Sequence, residues 1–192
     1  RVALDALGGR VLAEDIVAQV DRPAWDTSAM DGYAVRSADI QSPDTALKVT
    51  EHVAAGDGQE YQVSPGTAAR IFTGAVLPSG ADTVVLQEDT TRHDERVVVH
   101  EVPRHGQHIR FRGEDIAPGQ TVLAAGRVLS PGDLSCLASI GCTEATVYRR
   151  PAVRLMTSGR ELLRPGEGTP QRGQIIDGNT GALAYAARML GS

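Results

Sequence analysis

The 192-residue sequence predicts an α+β fold with a turn-rich, largely β body, followed by the beginning of an α/β segment. Gly and Pro make up about 16% of the residues, against roughly 12% in average usage, and this excess favours short strands joined by tight turns. Short apolar runs separated by turn residues predict a β or α+β body rather than βαβ units. At residues 149–151 the pattern changes to strand, long loop and helix, so we place the domain boundary there.

The first part of the chain is predicted to consist of short elements. Residues 1–9 predict a short helix ended by two glycines, and residues 67–73 predict one or two helical turns. Residues 21–39 hold the only Trp and many small polar side chains, a composition typical of a loop that carries function. We expect 82–88 and 96–102 to pair across a polar turn at 89–95. The predicted strands are 10–20, 46–53, 82–88, 96–102, 110–116 and 121–124.

Two helices are predicted in the second part of the chain. Ser130 is a good N-cap, Pro131 suits the first helical position, Asp133 stands three residues after the cap, and Gly141 provides a stop. Strands are predicted at 143–148 and 152–156, with a long loop at 157–179. The last helix is predicted from an apolar stripe of Leu183, Ala186, Ala187 and Leu190.

Composition argues against several classes of protein. The formal net charge is −5 and no Lys/Arg run is present, so we expect no nucleic-acid partner. The longest apolar run, 182–187, is far shorter than the roughly twenty residues of a membrane helix. Residues 1–20 hold acids where a signal peptide would be apolar, so a cytoplasmic protein is expected. Cys136 and Cys142 predict two unpaired thiols rather than a disulfide or a metal site.

Four polar residues in loops are candidates for chemistry. Asp31 lies in a turn of small residues, Thr73 precedes the flexible Gly74, Asp115 follows Gly-Glu, and Glu161 follows a predicted buried strand. Ligands collect beyond the carboxyl ends of strands in α/β sheets, which favours the segment around Glu161. Several carboxylates suit a phosphate substrate that is bridged by Mg²⁺, because Mg²⁺ prefers oxygen ligands.

Each of these positions has a plainer interpretation. An acid beside Gly is commonly a turn or cap residue, and Asp177, directly before the last helix, is one such case. The amides at the start of that helix could instead receive an anionic group. Four of the five histidines lie in polar segments with no helix to align them, so a metal site is disfavoured there; they are His93, His100, His105 and His108.

Five motifs in the chain carry a resemblance to a known family. They are DRPAWDTSAMDGYAV (21–35), RIFTGAVLPSGADTVVLQED (70–89), IRFRGEDIAPG (109–119), RPAVRLMTSGREL (150–162) and GQIIDGNTGAL (173–183). In this order and spacing the chain resembles the MoeA-type molybdopterin molybdenumtransferases, the family that includes the gephyrin E-domain. The resemblance runs nearly from end to end.

The resemblance implies an architecture and an activity. It implies an irregular β-rich domain (1–20 with 113–150), an inserted α+β lobe (21–112), and the start of an α/β, MogA-like molybdopterin-binding domain (151–192). It also implies a homodimer whose cleft is shared between the inserted lobe of one subunit and the α/β domain of the other. The implied reaction is Mg²⁺-dependent insertion of molybdenum from molybdate into adenylylated molybdopterin, with release of AMP.

The resemblance also implies which residues line the cleft. Asp31, Thr73 and Glu161 are the expected catalytic residues, with Asp31 and Glu161 as metal ligands and Thr73 as a donor to phosphate. The expected substrate-binding residues are Ser28, Gly74, Asp115, Ser158 and Asp177. Arg160 stands where the family carries an acid, and it could pair with Glu161, face solvent or contact a phosphate.

A second interpretation belongs to another class of function. The chain lacks the later loops that complete the family's substrate site, so it could be a non-catalytic dimerisation or scaffold module, or a fragment. On the enzyme interpretation too, the activity is expected of the full-length protein, and the isolated 192-residue chain is expected to be inactive.

Overall fold

The computed structural model describes residues 1–191, which form mainly short strands with few helices. The α-helices are α1 (Pro131–Ser139) and α2 (Asn179–Met189), and short 3₁₀ turns span Leu4–Ala6, Ser37–Asp39 and Gln87–Asp89. The strands are β1 (Val2–Ala3), β2 (Ile16–Val17), β3 (Thr27–Ser28), β4 (Gly32–Val35), β5 (Thr45–Val53), β6 (Thr67–Ile71), β7 (Thr83–Leu86), β8 (Thr90–His93), β9 (Arg96–Val99), β10 (Ile109–Arg110), β11 (Thr121–Leu123), β12 (Glu144–Ala145), β13 (Leu162–Leu163) and β14 (Ile175–Ile176). The predicted mostly β character is confirmed.

The chain divides into two compact units. One unit is Val17–Val122, and the other combines Arg1–Ile16 with the chain from Leu123 onward. No helix among residues 1–191 is long and apolar enough to cross a membrane.

A six-stranded sheet organises the Val17–Val122 unit. Its strand order is β7-β4-β6-β5-β9-β8, and every pair is antiparallel except β5–β6. Successive side chains of a strand point to opposite faces, so Tyr33 and Val35 enter one apolar cluster while Ala34 enters the other. In β6, Ala68 and Ile71 are divided between the same two clusters. The central strands are therefore buried on both faces.

The two edges of this sheet are different. The side chains of β8 from Thr91 to His93 are exposed. Along β7, the amide of Val84 donates to the carbonyl of Gln107 at 3.0 Å, and the amide of Gly106 donates to the carbonyl of Asp82 at 2.9 Å. A loop therefore covers the β7 edge.

Several predictions for this unit are wrong. Within the predicted helical turn at 67–73, Thr67–Ile71 form strand β6, because the pairing with β4 and β5 decides an ambiguous apolar pattern. The predicted loop 21–39 contains the central strand β4. Residues 82–88 and 96–102 do not pair with each other: β7 pairs with β4, and β9 pairs with β5 and β8. The predicted turn 89–95 contains β8. Strand β5 confirms the prediction at 46–53.

Helix α1 is the best-defined element of the other unit. It begins at Pro131, as predicted, with Ser130 as N-cap in a reciprocal capping box with Asp133. The Ser130 hydroxyl and Asp133 Oδ2 are 2.7 Å apart, and Arg127 Nη2 lies 2.9 Å from Asp133 Oδ1. The hydrogen bond from Arg127 is the main reason why the pKa of Asp133 is lowered to about 2. Sequence and structure agree on this helix because its signals are local.

The beginning of this unit contains less regular structure than predicted. Residues 1–9 form strand β1, which pairs with β12, and then the single 3₁₀ turn Leu4–Ala6. Of the predicted strand 10–20, only Ile16–Val17 is regular, with isolated bridges at Val11 and Leu12. Cys136 and Cys142 are both free thiols, as predicted.

The predicted start of an α/β, MogA-like domain is not shown in this chain. Residues 152–156 form no strand among the described residues, since a strand needs a neighbour to pair with. The parallel pair is instead β13 with β14. Helix α2 is present, but most of the predicted apolar stripe is exposed: Leu183 is 50% and Leu190 88% exposed, Ala186 is exposed, and Ala187 is half-buried.

Candidate functional site

A tight turn between β3 and β4 positions Asp31. The Ser28 hydroxyl, buried at the end of β3, donates to the Met30 carbonyl at 2.5 Å, and the Met30 amide donates to Ser28 Oγ at 3.3 Å. Gly32 then starts β4 so close to β7 that a Cβ atom would lie 1.9 Å from the Val85 carbonyl oxygen. Asp31 therefore projects from a backbone that is fixed on both sides.

Asp31 and Thr73 form the centre of the candidate site. Asp31 Oδ1 accepts two hydrogen bonds from Thr73, one from the amide at 2.8 Å and one from the hydroxyl at 2.7 Å. These bonds, the amide bond first, hold the pKa of Asp31 below its usual value, with a smaller contribution from the Arg70 charge. No described residue hydrogen-bonds Oδ2, and both residues are exposed. The site thus presents one ionised oxygen to solvent.

Gly74 completes this arrangement through its backbone. Its amide donates to the Ser28 carbonyl at 2.8 Å, and the Ser28 amide donates to the Ala75 carbonyl at 2.9 Å. Its φ of +81° is a conformation that favours glycine. The structure therefore brings together four residues that the sequence singled out: Ser28, Asp31, Thr73 and Gly74.

Asp115 lies in the same unit but in a separate ion-pair group. Arg110 Nη2 donates to Asp115 Oδ1 at 2.6 Å, and Arg110 Nε donates to Glu114 Oε1 at 2.5 Å. Arg22 Nε is 3.9 Å from Asp115 Oδ2. Sequence reasoning does not single out Arg110, although it lies inside the quoted motif at 109–119. In β10 it stands opposite Thr27, next to Ser28. Asp115 is hydrogen-bonded to neither Asp31 nor Thr73.

Glu161 and Ser158 lie in the other unit, in exposed chain. The Glu161 carboxylate rests against Gly159, where a Cβ atom would be 2.6 Å from Oε1. The Glu161 carbonyl accepts from the Ile175 amide at 2.7 Å, beside the β13–β14 pair. Arg160 is exposed, and within residues 1–191 it makes no ion pair with Glu161.

Asp177 caps helix α2. Its Oδ1 accepts the amides of Asn179 at 2.9 Å and Thr180 at 3.1 Å, and its Oδ2 accepts the hydroxyls of Thr180 at 2.5 Å and Thr157 at 3.0 Å. These bonds, the Thr180 hydroxyl first, lower the pKa of Asp177 to about 2. The helix amides at Asn179 and Thr180 therefore already donate to the Asp177 carboxylate. Sequence reasoning misses Thr157 and Thr180, although Asp-x-x-Thr is a capping pattern.

A cleft adjoins this cap. It has a volume of about 620 Å³, and its lining includes Thr157, Gly159, Arg164, Asp177 and Thr180. Within the part of the chain that the structure describes, no group of three or more His, Cys, Asp or Glu is arranged to hold a metal ion.

Comparisons with known proteins identify the family. The family described as MoeA N-terminal region (domain I and II) matches residues 1–141. A molybdopterin molybdenumtransferase of Nostoc sp. is 40% identical over all of this chain and 44% of that protein. Molybdopterin molybdenumtransferase 2 of Mycobacterium tuberculosis is 41% identical over all of this chain and 48% of that protein.

Solved structures agree with this match. A molybdopterin biosynthesis MoeA protein of Pyrococcus horikoshii superimposes with a TM-score of 0.87 at 33% identity, covering all of this chain and 50% of that one. A second structure from the same species gives 0.87 at 36% identity, covering 97% of this chain and 51% of that one. The chain thus spans about half the length of the relatives it matches. It belongs to the MoeA family and corresponds to the N-terminal part of the family's proteins.

Proposed function

We propose that this chain is the N-terminal part of a molybdopterin molybdenumtransferase and acts in molybdenum cofactor biosynthesis. The reaction we propose inserts molybdenum from molybdate into adenylylated molybdopterin and releases AMP. The observation that carries the proposal is the Asp31–Thr73 pair, in which one carboxylate oxygen is fixed and the other faces solvent. The names of the relatives support the same reaction class.

Asp31 is suited to act as an anion rather than as an acid. Its lowered pKa keeps the carboxylate ionised at neutral pH, so it has no proton to donate. It can instead accept a hydrogen bond from substrate or water, or ligate a cation, through Oδ2. We assign it that role.

Thr73 is suited to orient Asp31. Its hydroxyl proton is already given to Asp31 Oδ1, so the hydroxyl cannot donate to a phosphate without first leaving the carboxylate. The contact therefore supports a role in fixing the carboxylate, in place of the direct phosphate contact expected from the sequence.

The donor set fits Mg²⁺ as a partial site. Mg²⁺ is commonly held by one or two carboxylates, with water and substrate phosphate filling its other positions. Asp31 offers one ionised oxygen of this kind, and Glu161 is the second carboxylate that we propose as a ligand. A bound Mg²⁺ would neutralise charge on the phosphate of the substrate.

We further propose that the active protein is a homodimer. In this proposal the Asp31 site of one subunit faces the α/β domain that begins at residue 151 of its partner. The separate placement of Asp31 and Glu161 in two units of the chain is compatible with such sharing.

The test joins this chain to the remaining part of the Nostoc relative and measures cofactor formation from adenylylated molybdopterin, molybdate and Mg²⁺. The variant Asp31→Asn should lower kcat/KM by about 100-fold, within the range of groups that act on a reacting centre. The matched control is Asp57→Asn, because Asp57 is a half-buried carboxylate that likewise accepts an amide and a hydroxyl, from Gln59 and Tyr61. The control should stay within about twofold of the unsubstituted hybrid, well short of the effect of losing a catalytic group.

Two outcomes would contradict the proposal. Unchanged activity of the Asp31→Asn hybrid would remove Asp31 from the site. A folded hybrid that makes no cofactor, beside an active Nostoc protein, would favour the scaffold function.

A further inference from the structure

Arg70 occupies an unusual position beside the candidate site. It lies in β6, opposite Tyr33 of β4 and His52 of β5. Its guanidinium carbon is 4.6 Å from the ring centre of Phe72 and 5.3 Å from that of Tyr33. Both distances are within the range of cation–π contacts, so the side chain is held between two aromatic rings.

The same guanidinium makes two directed hydrogen bonds. Arg70 Nη1 donates to the Gly32 carbonyl at 2.7 Å, and Nη2 donates to Gln87 Oε1 at 2.6 Å. The backbone amide of Gln87 in turn donates to the backbone carbonyl of Asp31 at 3.2 Å. Arg70 therefore contacts Gly32, which directly follows Asp31, and reaches Asp31 itself through Gln87.

Arg70 also contacts the segment that carries Thr73. Phe72, on which the guanidinium stacks, directly precedes Thr73, and its ring also packs 5.1 Å from the ring of His52. One side chain thus touches the neighbour of Asp31 and the neighbour of Thr73. Asp31 and Thr73 share the hydrogen bonds that define the site.

We propose that Arg70 is a positioning residue of the Asp31–Thr73 site: by binding Gly32 and Gln87 and stacking on Phe72, it holds the two segments in register. The inference deepens the proposed function and rests on it for its catalytic meaning. The planar guanidinium combines stacking with two N–H groups in fixed directions, and the ammonium of lysine offers neither feature. The role therefore requires arginine.

The experiment measures the Thr73 amide by NMR in the 192-residue chain. The variant Arg70→Met keeps an unbranched side chain and removes the charge and both hydrogen bonds. We expect it to move the Thr73 amide proton upfield and to speed its hydrogen exchange by about tenfold or more, because each tenfold corresponds to about 1.4 kcal/mol of lost protection. Arg70→Lys should behave like Arg70→Met. The control is Arg92→Met, because Arg92, in β8 of the same sheet, also donates to a backbone carbonyl, that of Asp94 in the turn after β8.

Activity of the hybrid protein supplies an independent readout. With Arg70→Met we expect kcat to fall by about 10- to 100-fold, as for residues that orient a ligand, while KM changes by less than about threefold. If Asp31→Asn leaves activity unchanged while Arg70→Met still alters the Thr73 amide, the proposed function fails and the positioning role stands. A native Thr73 amide in Arg70→Met, or a fully native Arg70→Lys, would overturn the positioning role.

A second variant covers the case in which Arg70→Met does not fold. Gln87→Leu removes the acceptor of Nη2 at an exposed position and leaves the stacking intact. It should shift the Thr73 amide in the same direction by a smaller amount. If the Thr73 amide is unchanged in Gln87→Leu, the link through Gln87 is wrong and the proposal fails.

Discussion

Substitution of Gly32 by alanine tests whether close backbone approach fixes the candidate site. A Cβ atom at this position would lie 1.9 Å from the Val85 carbonyl oxygen and 2.9 Å from its carbon. Ordinary contacts start near 3.4 Å, so β7 would have to move by about 1.5 Å. The obstacle is the backbone of β7, which is paired with β4, and it cannot rotate away as a side chain could.

The energetic cost follows from that displacement. Forcing extra volume into a packed region costs about 1–3 kcal/mol, and each ladder hydrogen bond that is lost costs about 1 kcal/mol more. With one or two such bonds broken, Gly32→Ala should lower the free energy of unfolding by about 2–5 kcal/mol. That is a large part of the roughly 5–15 kcal/mol typical of a folded protein.

Urea unfolding followed by circular dichroism measures this change. The control is Gly58→Ala, since Gly58 lies in the same unit, has no atom within 4 Å of an added Cβ and has no positive φ. It should change the free energy of unfolding by less than about 0.5–1 kcal/mol. A Gly32→Ala protein within about 1 kcal/mol of the parent would refute the close approach of β4 and β7.

Three further predictions concern stability. Ser130→Ala should cost about 1 kcal/mol in urea unfolding, whereas Ser130→Thr should retain most of the cap; equal loss in both would argue against the capping hydroxyl. Because the pKa of Asp133 is about 2 when folded and near 3.8 when unfolded, its contribution is fully present above about pH 5 and is lost as the pH falls towards 2. Asp133→Asn should therefore flatten the dependence of the unfolding free energy on pH between 5 and 2, and an unchanged slope would speak against the Arg127 contact. Leu47→Ala should cost about 2–5 kcal/mol in the free energy of unfolding, because Leu47 is 2% exposed in the sheet core; a cost below about 1 kcal/mol in the same urea assay would contradict that burial.

How much of the fold could be predicted depended on how local its signals are. The cap of α1 is encoded by Ser130, Pro131 and Asp133, which are near neighbours in the chain, and the prediction is confirmed. Strands β4 and β6 are short and buried on both faces, so their apolar residues do not alternate. Only pairing with distant strands defines them, and this is why one was predicted as a loop and the other as a helical turn.

The same reasoning applies to the candidate site. Turn composition drew attention to Asp31 and Thr73 separately, and the family resemblance placed both in one cleft. Their direct contact depends on the pairing of β4 with β6, which no local sequence pattern predicts. Asp177 shows the opposite case. An Asp just before a helix is a local capping signal, yet the amides of that helix were expected to bind an anionic group.

The edges of the six-stranded sheet limit how copies of this protein can associate. Intermolecular strand addition needs an edge with unpaired backbone groups and few charges. The segment around Gln107 occupies one edge, and the exposed side chains of Arg92 and His93 give the other a polar border. A second molecule would have to displace that segment or accommodate those side chains in order to extend the sheet. Association of copies through this unit is therefore expected to use side-chain surfaces, and the sheet itself is protected from fibril-like growth.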